Sequence, residues 1–231
     1  MKLVFEFRKT GDLVYISHLD LARLFLRVLR MSGLRPAYSH GFNPHPRMSL
    51  VLPLPLGLHS VCELLEFETD MAAAGRDVQP AMEAVNERLP EGVYVTAWHE
   101  KPESATKPLA SFTSAATYEF MCDLEQDAPA LLKRFFGLDS IISKRTDKKT
   151  GKETGKDIRP EMESYRVIKD IRGRLLAEAT LSAAPGKTLN PIAFFNAFCS
   201  ASGLDAGALA PVITRTAILG KDGRPLTETV L

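Results

Sequence analysis

Leu3, Phe5 and Phe7 alternate with polar neighbours over residues 2–7, the period of a strand with one buried face. Thr10-Gly11-Asp12 predicts a turn, and Leu13–Ile16 a short strand that doubles the first. The period then lengthens. From about His18 to Ser32 the apolar residues Leu21, Leu24, Phe25 and Val28 fall on one side of a helix. Ser17 stands where an N-cap belongs, Asp20 follows at the capping-box position, and Gly33 suits the C′ position. Residues 35–47 are rich in Pro, Gly, Ser and Asn and read as a loop. Met48–Leu54 and Val61–Thr69 read as strands joined by Pro55-Leu56-Gly57, Val78–Leu89 as a helix and Gly92–Trp98 as a strand.

The order strand, helix, strand, strand, helix, strand is that of a ferredoxin-like unit. Pro, Ser, Thr and charged residues dominate residues 99–116, and a linker is expected over 101–116. A similar order follows. Strands are predicted over Tyr118–Leu124, Ser140–Lys144, Glu163–Lys169, Arg174–Leu181 and Pro211–Leu219, helices over Ala128–Phe136 and Pro191–Ser200, and a charged turn over Lys148–Lys156. The expected fold is therefore α+β, with two ferredoxin-like halves packed in tandem. Residues 1–100 form the first half and residues 117–231 the second, which carries a basic hairpin.

Composition changes this picture little. With 231 residues, 45% apolar and 25% charged, the chain has the mixture of a globular protein able to bury a sizeable core. The formal net charge of +1 hides two basic segments. Residues 1–50 hold eight Lys or Arg against three acids, a local excess of +5, and residues 144–159 hold seven against three, an excess of +4. The three cysteines, Cys62, Cys122 and Cys199, are far apart and form no CxxC pair, which argues against a disulfide framework and a local iron–sulfur motif. The opening MKLVFEFRKTGD lacks the apolar run of a signal peptide, and no 18-residue apolar stretch exists, so no membrane association and a cytoplasmic location are expected.

The densest polar segment is Ser39-His40-Gly41-Phe42-Asn43-Pro44-His45-Pro46-Arg47. Its two inner prolines lower the entropy lost on ordering, which suits a recognition loop on a rigid scaffold. It could equally be a crossover loop whose polar groups satisfy its own backbone. If the start of the first helix converges with it, Ser17, His18 and Asp20 join His40 and His45 in one cluster, able in principle to move protons or hold an ion. No metal-ligand spacing such as HExxH is present, Ser17 and Asp20 already have work as a cap, and no metal or cofactor is expected. Arg23, Arg27 and Arg30 follow i, i+4, i+7 spacing and make one helix face basic, fit for a phosphate backbone, for an acidic partner surface, or simply for solvent. Lys144, Arg145 and Arg159 could track a nucleic acid or form a solvated turn, and Arg215 in the last strand could contact a partner or form a salt bridge. Gly-rich phosphate loops and recognisable catalytic triads are absent.

The strings Phe7-Arg8-Lys9-Thr10-Gly11, Tyr15-Ile16-Ser17-His18-Leu19-Asp20, Tyr38-Ser39-His40-Gly41-Phe42-Asn43-Pro44-His45-Pro46 and Leu54-Pro55-Leu56-Gly57 resemble the DUF2344, or radical SAM-associated, family. The likeness is strong over about residues 1–100 and looser through Asp157-Ile158-Arg159-Pro160 and Thr214-Arg215-Thr216. The strand after the loop departs from it: the family tends to an alanine-like start where this chain has Met48-Ser49-Leu50. The resemblance implies a partner, a cobalamin-type radical SAM enzyme carrying the iron–sulfur chemistry, and a gene context of RNA processing. It assigns no catalytic residue. The expectation is an accessory protein that binds RNA or the enzyme and presents substrate. The rivals are an RNA-processing or RNA-modifying enzyme that uses the histidines, and a structural interaction module.

Overall fold

The computed structural model describes residues 1–69, 77–102, 104–146, 153–171 and 173–231. The chain is α+β and divides into two compact units, Met1–Thr113 with Ala217–Leu231, and Ser114–Thr216.

The first unit opens with β1 (Lys2–Lys9), followed by a 3-10 turn at Gly11–Tyr15 and by α1 (His18–Met31). Next come β2 (Met48–Leu50), β3 (His59–Glu68), α2 (Val78–Asn86) and β4 (Val93–Lys101). The strands lie in the order β4-β1-β3-β2, each neighbour antiparallel to the next. Alternation in β1 sends Phe5 and Phe7 inward. Phe5 meets Phe67 of β3 edge-on at 5.0 Å, and Phe7 meets Phe25 of α1 at 4.7 Å, so helix and sheet close on one aromatic core. Ser17 caps α1 as expected, its Oγ accepting the Asp20 N–H at 3.1 Å, and Gly33 takes a left-handed φ of 82° just past the end.

Three expectations for this unit are corrected. Leu13–Ile16 is not a strand. Lys9 is 1% exposed and its Nζ donates to the carbonyls of Val14 and Ile16, while Gly57 N–H donates to Val14 O at 2.9 Å; these partners curl the segment into a 3-10 turn. The strand expected over Met48–Leu54 stops at Leu50. Residues 101–116 do not behave as a plain linker: β4 runs on to Lys101, a 3-10 turn spans Leu109–Phe112 and Leu109 has no exposed surface. Buried Lys101 pairs with Glu66, whose second oxygen accepts the Leu109 N–H at 2.8 Å, and this fastens the segment to the sheet.

The second unit holds β5 (Ala115–Asp123), α3 (Ala128–Phe136), the pair β6 (Ile142–Thr146) and β7 (Glu153–Asp157), then β8 (Met162–Ile171), β9 (Arg174–Ser182), α4 (Pro191–Ser202) and the short α5 (Ala206–Leu209). β9 runs antiparallel to both β5 and β8. Phe135 of α3 packs on Phe194 of α4 at 5.7 Å, and Phe120 of β5 on Phe194 at 5.3 Å. Asp127 and Asn190 cap α3 and α4, and Gly203 ends α4 at φ 69°. β6 and β7 form the expected hairpin, with Lys144 opposite Gly155 and Arg145 opposite Thr154. The charged turn Lys148–Lys156 is a strand from Glu153 onward; residues 148–152 lie outside the described residues. The last strand, β10 (Val212–Leu219), begins in the second unit and ends in the first, where α6 (Leu226–Val230) closes the chain.

Candidate functional site

Backbone hydrogen bonds fix the loop between α1 and β2 at its base and leave its tip free. Ala37 N–H donates to Glu68 O, Arg47 N–H to Ala37 O and Glu68 N–H to Arg47 O, at 2.7 to 2.9 Å. One step further out Ser39 and His45 are tied twice: Ser39 N–H donates to His45 O at 2.8 Å, and His45 N–H to Ser39 Oγ at 2.9 Å. Arg47 pairs with Glu68 at 2.8 Å. The tip, His40 to Pro44, is exposed, and it turns at Gly41, whose φ of 121° disfavours any residue with a Cβ. Phe42 has a relative exposure of 112%, the largest of the exposed large hydrophobic side chains among the described residues. The loop is thus a short finger, pinned at Ser39 and His45, that carries an aromatic ring, Asn43 and two imidazoles into solvent. A cavity of about 300 Å³, lined by Pro46, Arg47, Met48, Glu66 and Glu68 among others, opens at its foot.

The single cluster of Ser17, His18, Asp20, His40 and His45 does not form. The Arg30 guanidinium sits 5.5 Å from the centre of the Tyr38 ring, so the loop leaves beside the last turn of α1. His18 is twelve residues back along the helix, about 18 Å at 1.5 Å per residue. The strands agree: the loop base bonds to Glu68, opposite Lys2 at one end of β1, whereas Lys9 at the other end holds the turn before His18. Among the described residues no group of three or more His, Cys, Asp or Glu is placed to hold a metal ion.

At the His18 end Ser17 Oγ donates to Asp20 Oδ2 at 2.6 Å, and Arg23 donates to Asp20 Oδ1 at 2.9 Å. These two bonds, the Ser17 one foremost, hold the Asp20 carboxyl below the usual carboxylate range. Beside them Tyr15, Leu19 and Leu56 are exposed at 74%, 66% and 56%. Arg23, Arg27 and Arg30 share the exposed face of α1 as their spacing predicts.

In the second unit Lys144 is exposed on the hairpin, whereas Arg159 is half-buried and donates to the carbonyls of Leu138 and Met162, where it braces the turn into β8. Arg215 is 1% exposed, lies 5.5 Å from the Tyr118 ring centre and donates from Nε to the Tyr118 hydroxyl at 3.3 Å. The expectation that it contacts a nucleic acid or partner is therefore corrected: a buried guanidinium over a ring works within the core. Sequence reasoning missed Lys9 and Glu161, which are 1% and 7% exposed; Lys9 at the end of the alternating run of β1 offered a weak signal, and the polar, proline-containing stretch around Glu161 offered none.

Fold and surface together define an α+β protein with a projecting, proline-containing loop, and no helix among the described residues is long and apolar enough to cross a membrane. A family model described as an uncharacterized protein conserved in bacteria, DUF2344, matches residues 2–191, and the chain belongs to that family. A search of curated proteins gives no match. Among solved structures the chain is similar to one in the crystal structure of a Cbf5-Nop10-Gar1 complex, at 9% identity and a TM-score of 0.45. The match covers 94% of this chain and 48% of that one, so the chain spans about half the length of that neighbour.

Proposed function

We propose that this protein is an accessory subunit of a cobalamin-type radical SAM enzyme and that the Ser39–Arg47 finger docks it to that partner. The observation that carries the reading is Phe42, fully exposed on a loop whose base is hydrogen-bonded from both sides. An exposed aromatic ring on an ordered backbone is the form of an interface anchor, because little freedom is lost when it enters a pocket. Each unit reads as ferredoxin-like: the first by its antiparallel β4-β1-β3-β2 order, the second by β5, α3, β8, β9, α4 and β10, with the β6–β7 hairpin inserted after α3. A tandem of this kind supplies a scaffold, and the family resemblance supplies the enzyme partner.

Capture from native cells tests it. The full chain should recover a radical SAM enzyme, and Phe42→Ala should lose it while the chain stays folded. Recovery of no such enzyme by the unaltered chain would overturn the reading. RNA attachment is the second reading, favoured by Arg23, Arg27 and Arg30 on one exposed face. Binding that weakens steeply with salt, and more weakly still in Arg27→Ala, would support it, whereas a flat salt response would exclude it. An acid–base or metal-dependent enzyme built on His18, His40 and His45 is disfavoured by the length of α1 that separates His18 from the loop.

A further inference from the structure

Three large apolar side chains of the first unit stand exposed around the start of α1. Tyr15 ends the 3-10 turn, Leu19 lies in the first turn of α1, and Leu56 sits in the turn before β3. A Cβ at Gly57 would stand 3.7 Å from Tyr15 Cε1, and Gly57 N–H donates to Val14 O at 2.9 Å, so the turn that carries Leu56 lies against the Tyr15 ring.

The backbone beneath them is tied down. Buried Lys9 donates to the carbonyls of Val14 and Ile16, and Ser17 and Arg23 both donate to the Asp20 carboxylate at the helix start, at 2.6 and 2.9 Å. Side chains on an ordered backbone lose little freedom when a partner covers them. An exposed apolar patch with a polar rim marks a contact with another protein.

The rest of the exposed face of α1 defines the chemistry of that partner. At about 100° per residue, Leu19, Arg23, Arg27 and Arg30 span about 80° of the helix. Arg23 is paired with Asp20 and Arg30 rests on the Tyr38 ring, but neither Arg27 nor Arg30 makes an ion pair among the described residues. At a rise of about 1.5 Å per residue, Arg27 lies about 12 Å and Arg30 about 16 Å beyond Leu19. The face therefore changes from apolar to cationic within one helix. A single-stranded RNA can pair with the arginines and stack on Tyr15, but the two leucines at the head of the row offer it nothing. A protein helix with apolar residues at one end and acids two to three turns further on matches both parts, and its acids meet arginines that have no counter-charge.

We propose that this face of α1 docks an acidic amphipathic helix of a partner protein, with its apolar residues on Tyr15, Leu19 and Leu56 and its carboxylates on Arg27 and Arg30. The apolar platform lies at the end of α1 away from the finger, so it is a second contact surface and does not rest on the role given to Phe42.

Titration of the full chain with a labelled helical peptide tests the proposal. The peptide carries leucines on one face of its first two turns and glutamates on the same face about two and three turns further on. Its controls are the same peptide with lysine for each glutamate, and a labelled single-stranded RNA. Saturable binding of the glutamate peptide is expected, at least about tenfold tighter than either control. Leu19→Ser and Leu56→Ser should each weaken it about tenfold. Arg27→Glu should weaken the glutamate peptide and strengthen the lysine peptide, a reversal that loss of the fold does not produce. Phe42→Ala should leave the titration unchanged even where it abolishes partner capture. The proposal is overturned if the glutamate peptide does not bind, if the lysine peptide binds equally well, or if both leucine variants bind as the unaltered chain does. RNA that binds more tightly and displaces the peptide would overturn it too, as would self-association abolished by Leu56→Ser, which would make a second copy the occupant.

Discussion

Gly92 accepts the Thr10 N–H on its carbonyl at 2.7 Å, and a Cβ at Gly92 would stand 2.5 Å from the Thr10 carbonyl oxygen. The two backbones touch where β1 ends and β4 begins, and φ at Gly92 is 96°. Both facts forbid a side chain. Gly92→Ala should cost at least about 2 kcal/mol, since backbone strain and a clash with main chain add. Urea unfolding monitored by circular dichroism checks this, and a change within about 0.5 kcal/mol would contradict it.

The Lys101–Glu66 pair should be the most sensitive polar contact of the first unit. Lys101 is 2% exposed and also donates to Lys107 O, so Lys101→Met leaves Glu66 without its cation and a carbonyl without its donor. A loss of about 3 kcal/mol or more is expected. Limited proteolysis should show faster cleavage between residues 104 and 108 in the variant, because the bond that fastens that stretch is gone.

Asp20 gives the cap of α1 a pH dependence with a defined sign. Its folded pKa lies below the unfolded value, so it contributes stability above the unfolded pKa and loses it as pH falls through the lower folded value. Asp20→Asn should therefore destabilise the chain at pH 7 and matter little once the pH is below the folded pKa. Asp222 behaves likewise with a pKa held down to about 2 by Thr229 and Arg224, so its contribution persists into stronger acid. Thermal unfolding of both variants between pH 2 and pH 7 separates the two.

Thiol chemistry should distinguish the cysteines. Burial pushes Cys199 up to about 11 and raises Cys122 as well, and both side chains are buried. Ellman's reagent at pH 8 should leave these two unmodified in the native protein and titrate all three after denaturation. Rapid native modification of Cys199 would contradict the core packing around α4.

Elements specified by near neighbours were readable in the chain. α1 is one: its apolar side, its Ser17 cap and its Gly33 end all lie within a few residues of one another. Where distant partners decide, sequence reading failed. The turn before α1 forms because Lys9 and Gly57 collect the carbonyls that a strand would have used. Glu153–Asp157 has the composition of a turn and becomes a strand because β6 lies opposite. The site shows the same division. The exposure and stiffness of the Ser39–Arg47 finger were legible in its Pro and Gly content. Its distance from His18 was not, since only the antiparallel packing of β1 and β3 sets the loop base and the helix start at opposite ends.

The path of β10 has a consequence for the order in which the protein is made. Ser114–Thr216 is a contiguous stretch, complete once it has left the ribosome, whereas Met1–Thr113 waits for Ala217–Leu231. Leu226 of α6 is 1% exposed, and α6 packs on the turn at Leu109–Phe112. The unit synthesised first is thus the last to be finished. Until residues 217–231 have been made, the surface that α6 covers at the Leu109–Phe112 turn stays open, so removal of those residues would be felt more than a hundred positions upstream.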